Sequence, residues 1–332
     1  MIKVIVLEPP MLSNVAWWRL WMPLMAIKRM YKGVFDFEFK RKDLTYDDAW
    51  NADIVICPRP GGKPDVNEFL EKAKREGAKL IVDIDDHILG LPEFHDLYHD
   101  YKPGSEAHKN AVKTLQMADC FWFSTEKFLE TYHTGGIVVK NAIPPEWLPE
   151  TPAPDNNLWA WRGRSFQVHD LIYAGQDWYN GGGNAMAKHW LFLGWKPPLQ
   201  HLENATSAAY IADTQEYIQK VRQSGFSGMW KPMVDCEFND HKSNISWIEA
   251  TLSGGACLTN YAGRPGWEHA TDTFPDYEKI CELWTASAAE VRLNYNLYTE
   301  AVKRARSMLA LCSHLLPTSD DTANTLPSAE KP

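Results

Sequence analysis

The sequence predicts an α/β protein built from doubly wound parallel sheets, and three observations carry that prediction. Short apolar runs of strand length alternate with segments of helical period through most of the chain, an order that gives parallel strands with right-handed crossovers. The 332 residues suffice for two ordinary domains, and 45% hydrophobic content provides a core for each. Between the halves stands PETPAPDNN, a polar linker stiffened by proline. The expected division is 1–152, 153–315 and a tail over 316–332. That tail lacks apolar periodicity and is expected to be disordered.

Residues 2–7 form a buried-strand run, 8–14 a loop, and 16–31 a helix whose apolar positions are Leu20, Leu24, Ile27 and Met30. Pro23 must kink that helix or mark its first turn. ADIVICPRP reads as a strand, 66–76 as a helix and 79–82 as a third strand, which ends in DIDDHILGLPEFHDLYHD. A helix over 105–117, a strand ending at Ser124 and Thr125, a short helix from Glu126 and a strand over 137–140 complete the first half. In the second half LWAWRGRSFQVHDLIYAG opens with a strand, and 189–194 and 208–212 are further strand candidates. A helix follows over 214–223. NGGGN at 180–184 follows no strand with a phosphate-loop fingerprint and reads as a turn. The stretch 233–263 then gives a polar loop, a helix over 244–252, a Ser-Gly-Gly stop and a buried strand over 256–259. From 290 to 316 runs one long helical pattern.

Composition narrows the function classes. With 34 basic and 43 acidic residues the net charge is −9, which disfavours a nonspecific polyanion binder. Six dispersed cysteines without CxxC or Cys/His spacing read as reduced core thiols of an intracellular protein. No apolar run reaches the roughly 18 residues that a membrane helix needs, so a soluble cytoplasmic protein is expected. Fifteen tryptophans suit carbohydrate handling or aromatic packing equally.

Two clusters carry chemistry. Glu249 lies between Trp247, Ile248, Ala250 and Leu252, where a carboxylate needs hydrogen-bond donors, from a ligand hydroxyl or from a structural Arg or Lys. Lys242 and Ser243 stand just before that helix, whose free N–H groups and dipole suit a phosphate. The second cluster, Asp83, Asp85 and Asp86 with His87, His95 and His99, has three readings. It is a DxD divalent-metal site using Asp83 and Asp85, an acceptor-side site using Asp85 and Asp86, or a turn of Asx caps.

The segment FNDHKSNISWIEATLSGGACLTN resembles the donor-site region of GT-B glycosyltransferases of the GT4-like kind. Its wording is most similar to glycosyltransferase-like proteins frequent in bacteriophage genomes. The resemblance implies two Rossmann-like domains facing across a cleft, a terminal helix packing back, and transfer of a sugar from a UDP-sugar to a hydroxyl acceptor with retention. Glu249 would take the ribose hydroxyls, and Lys242, Ser243 and Asn244 the diphosphate. His241 stands where GT4 enzymes carry a first Glu, so its sugar contact departs from the pattern. Arg162 and Arg164 match a diphosphate-binding loop, with His169 and Asp170 in place of the usual Lys-Gly pair. SNVAWWRLWMPL resembles the opening loop and helix, making Asn14 and Arg19 acceptor-side candidates, or else Arg19 the partner of a surface acid. Asp85 and Asp86 are the catalytic candidates, and no metal or other cofactor is implied. The acceptor is a hydroxymethylated DNA base, a virion protein or a glycan, in host cytoplasm if the chain is phage-encoded. The rivals are a metal-dependent GT-A enzyme using Asp83 and Asp85 and a non-catalytic nucleotide- or sugar-binding protein.

Overall fold

A computed structural model describes residues 1–7, 16–40, 48–49, 51–60, 63–132, 135–163, 170, 189–194, 205–208 and 213–313. Two parallel sheets organise them. The first comprises β1 (Ile2–Val6), β2 (Phe35–Phe39), β3 (Ile54–Pro58), β4 (Lys79–Ile84), β5 (Cys120–Phe123) and β6 (Gly136–Val138), in the order β2-β1-β3-β4-β5-β6. The second comprises β7 (Leu158–Gly163), β8 (His189–Gly194), β9 (Ala205–Ala208), β10 (Gly228–Trp230) and β11 (Ala256–Leu258), in the order β11-β10-β7-β8-β9. All registered strand pairs are parallel. Strands covered on both faces read as unbroken apolar runs, and IVIC in β3 is buried at each of its four residues.

The helices are α1 (Met22–Met30), α2 (Pro64–Arg75), α3 (Tyr98–Tyr101), α4 (Glu106–Met117), α5 (Glu126–Tyr132), α6 (Thr214–Ser224), α7 (Glu237–Asp240), α8 (Ile245–Ser253), α9 (Tyr277–Asn294) and α10 (Leu297–Leu311). Pro23 falls in the first turn of α1, where its missing N–H costs nothing, and a π-helical turn, Trp17–Trp21, precedes it. Strand β9 runs over Ala205–Ala208, the candidate at 208–212 lies beyond Ala208 outside the described residues, and β2, with its alternating FDFEF pattern, was not anticipated.

The expected single terminal helix is two. Asn296 breaks it by accepting the Tyr298 N–H at 2.9 Å as an N-cap, while Ile143 and Tyr295 to Leu297 exchange backbone bonds. That break lets α10 turn back and pack on α1 of the first half. Gly254 closes α8 in the left-handed region at φ 90°, and its carbonyl accepts the Ala153 N–H at 2.8 Å. The linker is thereby docked on the helix stop. Among the described residues no helix is long and apolar enough to cross a membrane.

Candidate functional site

In doubly wound sheets ligands bind beyond the carboxyl ends of the strands, where the winding direction reverses. In the first sheet the reversal lies between β1 and β3, and in the second between β7 and β10. The residues just past β3 and β10 are Arg59 and Lys231. Segment 8–15 after β1 and 164–169 after β7 lie outside the described residues. Asn14 and Arg164 fall there, and Arg162 is placed only by its backbone, paired with Leu193 on β8.

Arg59 binds both acidic candidates. Its Nε and Nη2 donate to the two Asp85 carboxylate oxygens at 2.8 Å each, and Nη2 also donates to Asp86 at 3.0 Å. Burial raises the proton affinity of Asp85, but the paired guanidinium outweighs it and holds this carboxyl below its usual range. Asp86 moves the other way, pushed up by burial and by the Asp85 charge, with Arg59, Lys242 and Lys231 opposing. Lys242 and Lys231 belong to the second half.

Lys242 lies 3.6 Å from Asp170 and over the Phe238 ring at 4.9 Å. Buried Asp170 also accepts from the Val234 backbone and from Asn239, which fixes the turn leading from β10 to α7. Ser243 is partly exposed. Asn244 is held by its amide, which donates to the Gly266 carbonyl at 2.7 Å and to the Tyr295 hydroxyl at 2.8 Å. Lys242 and Asn244 line a cavity of about 350 Å³ whose opposite wall is Ser124, Thr125 and Lys140 of the first half. Glu249 is fully buried in α8.

His241 is a joint between the halves. Its ring is fully buried and stacks on His87 with centroids 4.4 Å apart. Its Nδ1 lies 2.7 Å from the Glu237 carbonyl, so that nitrogen carries the proton, and Nε2 then accepts from the Thr131 hydroxyl at 2.7 Å. Both ring nitrogens are thus occupied within the protein, and the departure from Glu at this position is a packing contact across the cleft. Burial, then the His241 ring, lowers His87 to about 4, against the opposing pull of Glu237.

Two expectations at the first strand ends need correction. Arg19 does not reach the cleft: it is fully buried, with Nε and Nη2 on the two Asp83 oxygens at 2.8 and 2.5 Å and Nη1 on the Val139 carbonyl at 3.0 Å. Its partner is a core acid on β4, a strand buried from Leu80 to Ile84, rather than a surface one. The DxD reading fails for the same reason, since Arg19 occupies both oxygens of Asp83 and Arg59 both of Asp85, on a fold with two sheets. Sequence reasoning passed over Arg59, Lys231 and Thr131. An arginine directly after a buried strand, in IVICPRP, was the available signal for the first of these.

No family model matches the chain, and no curated protein matches it. Among solved structures it resembles TarM, with a TM-score of 0.55 and 11% identity over 78% of this chain and 55% of that one. The chain thus spans about half the length of TarM. It also resembles a Listeria monocytogenes protein provisionally described as a UDP-N-acetylglucosamine 2-epimerase, with a TM-score of 0.54 and 14% identity over 96% of this chain and 98% of that one. Likeness at this identity concerns the fold, which is GT-B-like.

Proposed function

We propose that the chain is a glycosyltransferase that moves a sugar from a UDP-sugar to a hydroxyl acceptor in the cleft between an acceptor-side domain, 1–152, and a donor domain, 153–315. One observation supports it above the rest: the two halves meet at their strand ends, where His87 stacks on His241 with centroids 4.4 Å apart and a cavity of about 350 Å³ has Lys242 and Asn244 on one side and Ser124, Thr125 and Lys140 on the other. In this reading Lys242, Lys231 and the α8 N-terminus, with Ser243 and Asn244, receive the donor diphosphate. Arg162 and Arg164 add to that set. Fixed cations stabilise the charge that grows on the leaving diphosphate, an effect worth about 10²–10³ in kcat per donor group. Asp86, at the mouth, orients the acceptor hydroxyl, and Asp85 holds the strand end in place. Retention at the anomeric carbon and independence of metal belong to the same proposal.

A second reading, a 2-epimerase acting on the free nucleotide sugar, draws on the near-complete mutual coverage with the Listeria protein. The test is UDP release from a panel of UDP-sugars, with glycan, protein or hydroxymethylated-DNA acceptors and with or without chelator. Release that requires an acceptor and survives chelator supports transfer. Epimer formed without acceptor supports the second reading, and UDP binding without turnover leaves a binding protein.

A further inference from the structure

The backbone of Arg59 poses a question that its fold position does not answer. Its φ is 64°, in the left-handed region that glycine enters freely and a side chain with a Cβ avoids. The other non-glycine residue there among those described, Asn157, has φ 48° and belongs to a type that tolerates it. Arg59 is pinned in that conformation: its N–H donates to the Asp83 carbonyl at 2.7 Å, and its carbonyl accepts from Cys57 Sγ at 3.2 Å. A strained residue persists where its side chain has work to do.

We infer that Arg59 is a positioning residue of the cleft: from the winding reversal after β3, its guanidinium fixes Asp85 and holds Asp86 beside it. The Arg59 side chain is 40% exposed and that of Asp85 6%, so the pair reaches from the interior to the surface. The fork geometry matters, because two parallel bonds to Asp85 leave Nη2 aimed at Asp86. Glycine would relieve the backbone, so the arginine is kept for its charge and its shape. The inference rests on the transfer reading for what Asp86 does, though not for what Arg59 does to Asp86.

The experiment compares Arg59→Gly and Arg59→Lys with the native chain. Arg59→Gly is expected to stay folded and bind UDP unchanged while kcat falls about 100-fold, the scale of a reacting group misplaced by an ångström. The acidic limb of its pH profile should move to higher pH, because carboxylates without the guanidinium take up protons more readily. Arg59→Lys should restore most of the limb and little of kcat, since it returns the charge without the fork. Turnover within twofold of native with an unmoved limb overturns the inference. If Arg59→Gly fails to fold, Arg59→Gly with Asp85→Asn removes the buried unpaired carboxylate, and native kcat in that folded double variant also overturns it. Should the native chain turn over no donor, carboxyl NMR titration decides alone. Upward shifts of Asp85 and Asp86 in the glycine variant sustain the role of Arg59 while the transfer reading falls, and unmoved carboxyls remove both.

Discussion

Strand β4 and the residue just past it present two aspartates two positions apart, Asp83 and Asp85, each gripped by an arginine fork, and they do different things. Arg19 and Asp83 have side chains 1% and 2% exposed, whereas Arg59 is 40% exposed and Asp85 6%. The inner pair lies in a buried polar cluster under the crossing between the halves. There Glu300 accepts the Lys140 N–H at 2.9 Å, Arg304 donates to the Lys140 carbonyl at 3.2 Å, and Arg19 donates to the neighbouring Val139 carbonyl. Burial lowers Arg304 to about 10, against the pull of Glu300. The outer pair ends in water at the cleft mouth. Depth along one strand therefore separates a structural ion pair from a chemically available one, where residue type and spacing look identical.

The largest effect expected from that difference is on stability. Truncating one member of the inner pair leaves a buried charge without its partner, which costs about 3–5 kcal/mol. Arg19→Ala and Asp83→Ala should each lower the denaturant midpoint accordingly, and the double variant should cost less than their sum, because the second truncation removes the orphaned charge. Additive losses would mean that the two groups do not act as a pair. Asp86→Asn reverses the pattern. Its side chain is 35% exposed, so stability should change within about 0.5 kcal/mol, while kcat should fall by about 10²–10⁴ if Asp86 handles the acceptor proton. Arg19→Ala alone with native stability, or Asp86→Asn with native kcat, would collapse the distinction between the pairs.

That distinction also marks how far the sequence could be read. Alternating periods revealed the parallel sheets, because burial on both faces of a parallel sheet forces long apolar runs. The Met233 to Gly263 stretch gave loop, helix, stop and strand because each is a local property. The roles of Asp83 and Asp85 were not local. DxD places both carboxylates on one side of the strand at different depths, and which arginine reaches each depends on residues 64 and 26 positions away. His241 misled for a similar reason. An unexpected residue in a binding pattern looks like lost chemistry, and its stacking on His87 is a contact between segments far apart in the chain.

The smallest expected effect follows from the residue next to Asp86. His87 is lowered from 6.5 to about 4, chiefly by burial, in a pocket shared with His241, Glu237, Tyr132 and Phe128. The unfolded chain therefore binds more protons than the folded one between those values, and stability must rise with pH across that window. His87 contributes fully above about 6.5, and its contribution fades as pH falls toward 4, where protonation would put a buried charge against the His241 ring. Equilibrium unfolding from pH 4 to 7 should show that slope, and His87→Phe, which keeps a ring against His241 without a titrating group, should flatten it. The inner ion pair predicts no such slope for Arg19, whose charge Asp83 sustains against burial. Acid should accordingly loosen the mouth of the cleft before it reaches the core cluster, with hydrogen exchange rising first in α5 and α7, the helices that hold the two histidines together. Exchange that rose first in α10 would place the acid-sensitive point at the inner pair and reverse the order argued here.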